Sequence, residues 1–529
     1  MKIRVAAGMA LVTCLSLGPG RVIARADGDQ AVRETRCTAL AGTQAPGFSL
    51  VITRAEGVGA GPAAQGRGRG AVNLPAHCRV EGTIDRRTGA EAKSYGIGFA
   101  LALPDSWNGR FLFQGGGGLN GTVGLPLGAQ AVGDVPALVR GFAVVSTDTG
   151  HQASGGAFDA AFMRDQQAVL DFEYVAVGRV AVLAKEIVAR YYGRPAEHSY
   201  FAGCSTGGRE AMLMAQRYPT YFDGVIAGAP AMRTGYSGLG DRWVAATLNQ
   251  TAPKDAAGKP IPAQIFSESD KRLIVKALLS ACDAKDGVQD GLVFNTRACG
   301  FDPVAVLTCK GAKTDDCLLP RQTAALTKAF AGPTDSHQNQ IYPGFLWDTG
   351  ITASGSGIPG LLSPGPGPLG PPNLSTEIDV DKEAFALAND PRQVGDTKLW
   401  TNLNTFASRG GKLAFYHGVS DPWFSALDTV DYYEKLGAAN GGADKVADWS
   451  RMFLVPGMGH CTGGAATLDN FDLLTAMVDW VEKGRGPDAI RATGRSFPGR
   501  SRPLCPYPAY AHYKGSGDAE DAANFECRR

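Results

Sequence analysis

The stretch Gly203-Cys204-Ser205-Thr206-Gly207 constrains this chain more than any other segment. It has the form G-x-S-x-G, follows an apolar run at 198–201 that predicts a strand, and precedes a helical pattern at 208–217. A serine on such a strand-to-helix turn is held in a strained backbone with its hydroxyl outward, poised to attack an acyl carbon. The same five residues also suit a small-residue turn that merely packs a helix on a strand. What surrounds them has to decide.

Apolar strands punctuated by glycine turns are predicted at 96–103, 110–113 and 141–147, and Gly115-Gly116-Gly117-Gly118 follows the second directly. Apolar residues at three- and four-residue spacing predict a helix over 168–191. Further strands are expected at 221–226, ending at Gly228-Ala229-Pro230, and at 412–416 and 451–455, with a helix over 468–483. Strands alternating with helices predict a parallel α/β sheet. The tail to Arg529 reads as irregular, and no internal repeat is present.

Acyl transfer needs an activated hydroxyl, a base, an acid to orient that base, and donors for the oxyanion. Ser205 supplies the hydroxyl. Asp421, in His417-Gly418-Val419-Ser420-Asp421-Pro422, follows one predicted strand; His460 closes the glycine loop Val455-Pro456-Gly457-Met458-Gly459-His460 after another. The order Ser, Asp, His is that of α/β-hydrolases. The Thr206 N–H and an N–H from Gly116 or Gly117 are the expected oxyanion donors. His417 is expected to line the site, while His77, His151 and His198 compete only weakly for the role of base.

Composition fits a large globular protein: 529 residues, 44% hydrophobic and 19% charged, with a formal net charge of +1. Four of the basic residues, Lys2, Arg4, Arg21 and Arg25, precede any acid and flank an apolar run, which predicts a secretory signal over residues 1–26. That run is too short for a convincing membrane span, so no membrane association is expected after cleavage. Nothing resembles the basic stripe that nucleic-acid binding requires. Setting aside Cys14, ten cysteines remain, and none forms a C-x-x-C pair. An even count behind a signal peptide predicts disulfides in a periplasmic or secreted protein. Between residues 232 and 398 the α/β pattern fades, cysteines cluster and a Pro/Gly-rich run appears. This predicts an α/β-hydrolase catalytic domain over 27–231 and 399–529, interrupted by a lid domain over 232–398.

Within that lid, residues 282–292 concentrate carboxylates in a glycine turn. Calcium takes six to eight oxygens from carboxylates and carbonyls. Asp283, Asp286 and Asp290 could give the first, Val288 and Leu292 the second. A solvated acidic turn fits the same spacing.

Cys204-Ser205, Asp421 and His460-Cys461 together resemble the tannase and feruloyl esterase family, over nearly all of the chain beyond its leader. The resemblance implies an aromatic ester hydrolase whose elbow cysteine is bridged to the cysteine after the catalytic histidine. It implies the pairs Cys204–Cys461, Cys37–Cys78, Cys282–Cys299, Cys309–Cys317 and Cys505–Cys527. It also implies a structural Ca²⁺ in the 282–292 loop, and places Trp347 and Phe424 where they could sandwich an aromatic acyl group. Family members that cleave terephthalate monoesters hold the free carboxylate with a lid arginine. The stretch after Trp347 has none, with Leu361 and a proline-glycine run in its place. A small feruloyl, galloyl or hydroxybenzoyl ester is therefore the expected substrate, a terephthalate monoester the alternative. A non-catalytic, calcium-stabilised protein binding phenolics or carbohydrate is the reading from another class. The sequence sets no oligomeric state.

Overall fold

The computed structural model describes residues 33–64, 70–352 and 373–529. The expected signal over 1–26 and the proline-glycine run containing Leu361 lie outside the described residues.

Nine strands form the central sheet: β1 (Leu50–Val58), β2 (His77–Thr88), β3 (Ser94–Pro104), β4 (Arg110–Gln114), β5 (Ala143–Thr147), β6 (His198–Cys204), β7 (Gly224–Gly228), β8 (Lys412–Gly418) and β9 (Ser450–Val455). Their spatial order is β1-β2-β3-β5-β4-β6-β7-β8-β9. The pairings from β1 through to β5 are antiparallel. Those from β5 to β9 are all parallel. Parallel strands covered on both faces read as unbroken apolar runs, and β5 and β7 are buried at every residue. β2 alternates apolar and charged residues along most of its length, with one face less covered.

Helices α1 (Ala176–Tyr192) and α2 (Thr206–Gln216) close one face of the sheet over Phe111, Phe113, Phe201 and Phe415. The helix expected over 168–191 is three continuous pieces, with a π turn at Asp171–Val175 between Gln166–Leu170 and α1. The opposite face packs Tyr200, Tyr416 and Phe453 under Met477 and Trp480 of the helix Leu473–Lys483. This parallel core, with its elbow after β6, is an α/β-hydrolase fold.

Between β7 and β8 the chain leaves the sheet and builds a separate apolar core. Val244 and Leu248 of α3 (Thr234–Asn249), Ile274 and Leu278 of α4 (Glu268–Cys282), and Leu326 and Phe330 of α5 (Pro320–Ala331) meet there. The tail is more regular than its sequence suggests. Ile490–Thr493 pairs with Asn470–Phe471 on one side and Ser501–Leu504 on the other in one sheet, and Tyr510–Tyr513 pairs with Phe525–Arg528 in another. These strands are no more than four residues long and mix polar with apolar residues, which leaves little periodic signal.

Ten cysteines are joined in the structure as Cys37–Cys78, Cys204–Cys461, Cys282–Cys299, Cys309–Cys317 and Cys505–Cys527. Two of these staple the insert, one the tail, one pins the N-terminal segment to β2, and one ties the end of β6 to the loop after β9.

Candidate active site

Ser205 stands at the turn between β6 and α2 with φ 66° and ψ −125°, a conformation a non-glycine residue holds only when its surroundings impose it. Two neighbours make the turn possible. A Cβ on Gly203 would lie 2.3 Å from the Gly207 carbonyl oxygen, and one on Gly207 would lie 2.7 Å from that of Gly116. The Ser205 N–H donates to the Gly228 carbonyl at 3.0 Å, locking the turn to the end of β7.

Asp421 follows β8 and His460 follows β9, so paired parallel strands deliver both to one edge of the sheet. His460 Nδ1 lies 2.7 Å from Asp421 Oδ2. The other carboxylate oxygen accepts N–H bonds from Trp423 at 2.9 Å and Phe424 at 3.2 Å. Burial works to raise the Asp421 pKa, but the two imidazoles beside it, those of His460 and His417, hold it below the usual carboxylate range. His460 Nε2 is buried and has no hydrogen-bond partner among the described residues. An imidazole held this way can take a proton at Nε2.

The Cys204–Cys461 bridge sets Cα atoms 5.9 Å apart. Consecutive Cα atoms are about 3.8 Å apart, so the bridge by itself confines the Ser205 and His460 Cα atoms to within about 14 Å.

The glycine run after β4 meets this edge from the other side. Gly116 does not offer its amide to a bound group, contrary to expectation: its N–H donates to the buried carboxylate of Glu210 at 2.9 Å. The amides of Gly117 and Thr206 remain as donors, and the Thr206 hydroxyl ties the loop by donating to the Gly118 carbonyl. A cavity of about 410 Å³ runs beside the glycines, lined also by Thr147, Gln130 and Thr462.

Aromatic residues divide differently from expectation. Phe424 packs edge-on to the His460 ring at 5.2 Å, and Trp423, which sequence reasoning passed over, lies nearer at 4.5 Å with Phe158 across from it. Trp423 sits between Pro422 and Phe424 in the turn that carries Asp421, which was the available signal. Trp347 instead belongs to the core of the insert, its ring stacked on Phe330 at 3.5 Å with Phe301 at its edge. His417 does not line the site either. It is fully buried behind Asp421, between the Thr429 hydroxyl and the Phe424 carbonyl. His151 stacks on Phe162 in a small apolar cluster, and burial pushes its pKa down to about 4.

Asp348 was not singled out from the sequence. Wholly buried, its Oδ2 accepts from Ser420 Oγ at 2.7 Å and from the Gly457 N–H at 2.6 Å. One carboxylate of the insert thereby clamps both loops that carry Asp421 and His460.

A family model described as tannase and feruloyl esterase matches residues 78–361 and 381–528. The chain belongs to that family. It is a carboxylic ester hydrolase, which displaces the reading as a non-catalytic binding protein. It is similar to the mono(2-hydroxyethyl) terephthalate hydrolase of Piscinibacter sakaiensis, 41% identical over 521 residues and covering 86% of this chain and 85% of the relative. It is also similar to a probable feruloyl esterase of Arthroderma benhamiae, 30% identical over 467 residues, covering 81% and 82%. Among solved structures, feruloyl esterase B from Aspergillus oryzae aligns with a TM-score of 0.74 at 26% identity, over 94% of this chain and 100% of that one.

In this esterase the acidic loop closes on itself after α4. Asp283 accepts N–H bonds from Asp290 and Gly291, and Asp286 accepts one from Phe294 at 3.0 Å. Burial pushes Asp286 up to about 7, with the charges of Asp290 and Asp283 adding to it, and burial raises Asp283 as well. Asp290 is shared with the tail, where Arg502 pairs with its carboxylate. Among the described residues, no three His, Cys, Asp or Glu side chains gather closely enough to hold a metal ion by themselves. A cation here would have to draw on the carbonyls of Val288 and Leu292 too.

Proposed function

We propose that this esterase hydrolyses esters of aromatic acids through Ser205, His460 and Asp421. The observation that carries the reading is the His460 Nδ1 to Asp421 Oδ2 contact of 2.7 Å, with Nε2 left open and a disulfide joining the neighbours of Ser205 and His460. In this reading Ser205 Oγ attacks the ester carbonyl carbon while His460 Nε2 accepts its proton. The carbonyl oxygen becomes an oxyanion facing the amides of Thr206 and Gly117. Collapse of the tetrahedral species expels the alcohol, which takes the proton from His460 and leaves an acyl-serine. Water then repeats the sequence, with His460 first as base and then as acid, and releases the carboxylic acid. Asp421 keeps the imidazole in the tautomer with a proton on Nδ1 and stabilises the imidazolium.

Trp423 and Phe424 beside the His460 ring favour a planar acyl group, and a feruloyl, galloyl or hydroxybenzoyl ester is our first assignment. The relative of 41% identity gives a second reading, a terephthalate monoester. Replacing Ser205 by Ala tests the chemistry: retained hydrolysis of p-nitrophenyl acetate and methyl ferulate would sink it. A panel of methyl ferulate, methyl gallate, methyl 4-hydroxybenzoate and mono(2-hydroxyethyl) terephthalate, compared by kcat/KM, separates the two substrate readings.

On one glycine turn, Asp283, Asp286 and Asp290 would give a calcium ion its carboxylates, with Val288 and Leu292 supplying the carbonyl oxygens that those side chains alone do not provide. Such an ion would relieve the mutual repulsion of buried acids and stabilise the insert, away from the reacting atoms. Five disulfides fit maturation in an oxidising compartment, so we assign the protein to the periplasm or the cell exterior.

A further inference from the structure

Glu210 lies on α2, beneath the glycine run and beyond the first turn after Ser205, and is 0% exposed. A fully buried carboxylate is costly unless its oxygens are satisfied. Here each has one donor: Oε2 accepts the Gly116 N–H at 2.9 Å, and Oε1 accepts Asn120 Nδ2 at 2.7 Å. Burial pushes its pKa up, while the Gly116 amide, the charge of Arg209 and Asn120 oppose that rise.

Both partners belong to the loop that would face the reacting carbonyl. Gly117 and Asn120 close a turn, with the Asn120 N–H donating to the Gly117 carbonyl at 3.0 Å, and Gly118 and Asn120 both hold positive φ, at 59° and 50°. Glu210 therefore grips the loop on either side of Gly117. With the Gly116 amide turned onto the carboxylate, Gly117 is left as the amide of that pair free to face a developing charge.

We infer that Glu210 is a positioning residue: its carboxylate sets the glycine loop so that the Gly117 amide, and not that of Gly116, meets the oxyanion. This rests on the ester-hydrolysis mechanism proposed above. A residue of this kind acts on the tetrahedral species and leaves ground-state binding alone, since an oxyanion donor is engaged most strongly in the transition state.

The test compares the full-length enzyme with Glu210→Gln, Glu210→Ala and Asn120→Ala, using p-nitrophenyl acetate and methyl 4-hydroxybenzoate. Active sites are counted by titration with an organophosphate, so that kcat refers to folded enzyme alone. Losing one oxyanion donor costs about 10²–10³-fold in kcat. The expected result is a kcat about 10- to 100-fold lower in Glu210→Gln, with KM within twofold. The Ki for phenylboronic acid, a mimic of the tetrahedral species, should rise by the same factor. Asn120→Ala, which leaves the Gly116 bond in place, should fall between that variant and the wild type.

If Glu210→Gln keeps kcat and boronate affinity within twofold, the inference is overturned. A lowered kcat with unchanged boronate affinity also overturns it, because that pattern belongs to a purely structural role. Ser205→Ala separates the two levels of the argument. An inactive Ser205→Ala beside a neutral Glu210→Gln refutes the positioning role alone; an active Ser205→Ala refutes the mechanism and this inference with it.

Discussion

His417 Nε2 lies 3.3 Å from Asp421 Oδ2, the same oxygen that receives His460 Nδ1. His417 Nε2 also faces the Phe424 carbonyl at 3.0 Å, and a carbonyl can only accept, so Nε2 carries the proton and Nδ1 takes the Thr429 hydroxyl at 2.9 Å. A second imidazole thus buttresses the carboxylate from behind. Asp421→Asn should lower kcat by about 10⁴-fold, since an amide no longer enforces the tautomer. His417→Ala should cost less, on the order of 10-fold, because it loosens Asp421 without removing it. Steady-state kinetics on p-nitrophenyl acetate check both; equal losses would contradict this ranking.

The bridge between Cys204 and Cys461 spans 257 residues of sequence and sits against the reacting side chains. Chain-entropy arguments give a cross-link of that reach up to about 5 kcal/mol of stability. The double variant Cys204→Ala/Cys461→Ala should lose kcat by 10-fold or more even at temperatures far below its own melting point. Reducing the other four bridges by variants of the same kind should lower Tm with kcat retained. Parallel melting curves and kinetics at 15 °C distinguish the two effects.

Asp148, on the turn after β5, accepts N–H bonds from Gly98 and Gly150, and burial pushes its carboxyl up to about 7. The unfolded carboxyl ionises near 4. Between those values the folded state binds more protons than the unfolded one, so this group's contribution to stability falls as pH rises from about 4 to about 7. Asp148→Asn keeps the acceptor oxygen and removes the ionisation. Its Tm relative to wild type should rise between pH 5 and pH 8, on the order of 1–2 kcal/mol in stability. A pH-independent difference would contradict this assignment.

Calcium in the 282–292 loop should appear as chelator-sensitive stability. A ligand at about 100 times its Kd adds about 2.7 kcal/mol. EGTA should therefore lower Tm by several degrees, Ca²⁺ should restore it, and Asp286→Asn should abolish the response. Metal analysis of the purified protein gives an independent reading, expected at one calcium per chain.

The parts of this fold that were legible are those where burial leaves an unambiguous imprint. β4, β6 and β8 are short apolar runs ending in a loop that carries Gly115–Gly118, Ser205 or Asp421, and each was visible. β1 and β2 were not, because their alternation of charged and apolar residues carries a weaker signal than an apolar run. Strand β7 was placed three residues early at its start, since Tyr221 and Phe222 are apolar but lie before the strand. Contacts made at a distance were out of reach. That Trp347 stacks on Phe330, or that Glu210 captures the Gly116 amide, depends on which helix folds back over which loop. Asp348 shows this most plainly: one acid among 51 acidic residues, and nothing local marks it as the clamp on two distant loops.

The insert departs after β7 and returns at β8, and those strands are hydrogen-bonded neighbours, with Gly224 opposite Lys412 and Gly228 opposite Tyr416. Because the strands run parallel, the chain leaves at the Gly228 end of this seam and returns at the Lys412 end, one strand spacing (about 4.8 Å) across and roughly 13 Å along. Such a seam makes the insert an exchangeable cassette: it can be swapped between relatives without re-registering any strand of the sheet. The graft has one strict requirement. Every donor cassette must bring its own counterpart of Asp348, or the recipient's two loops will come loose from each other.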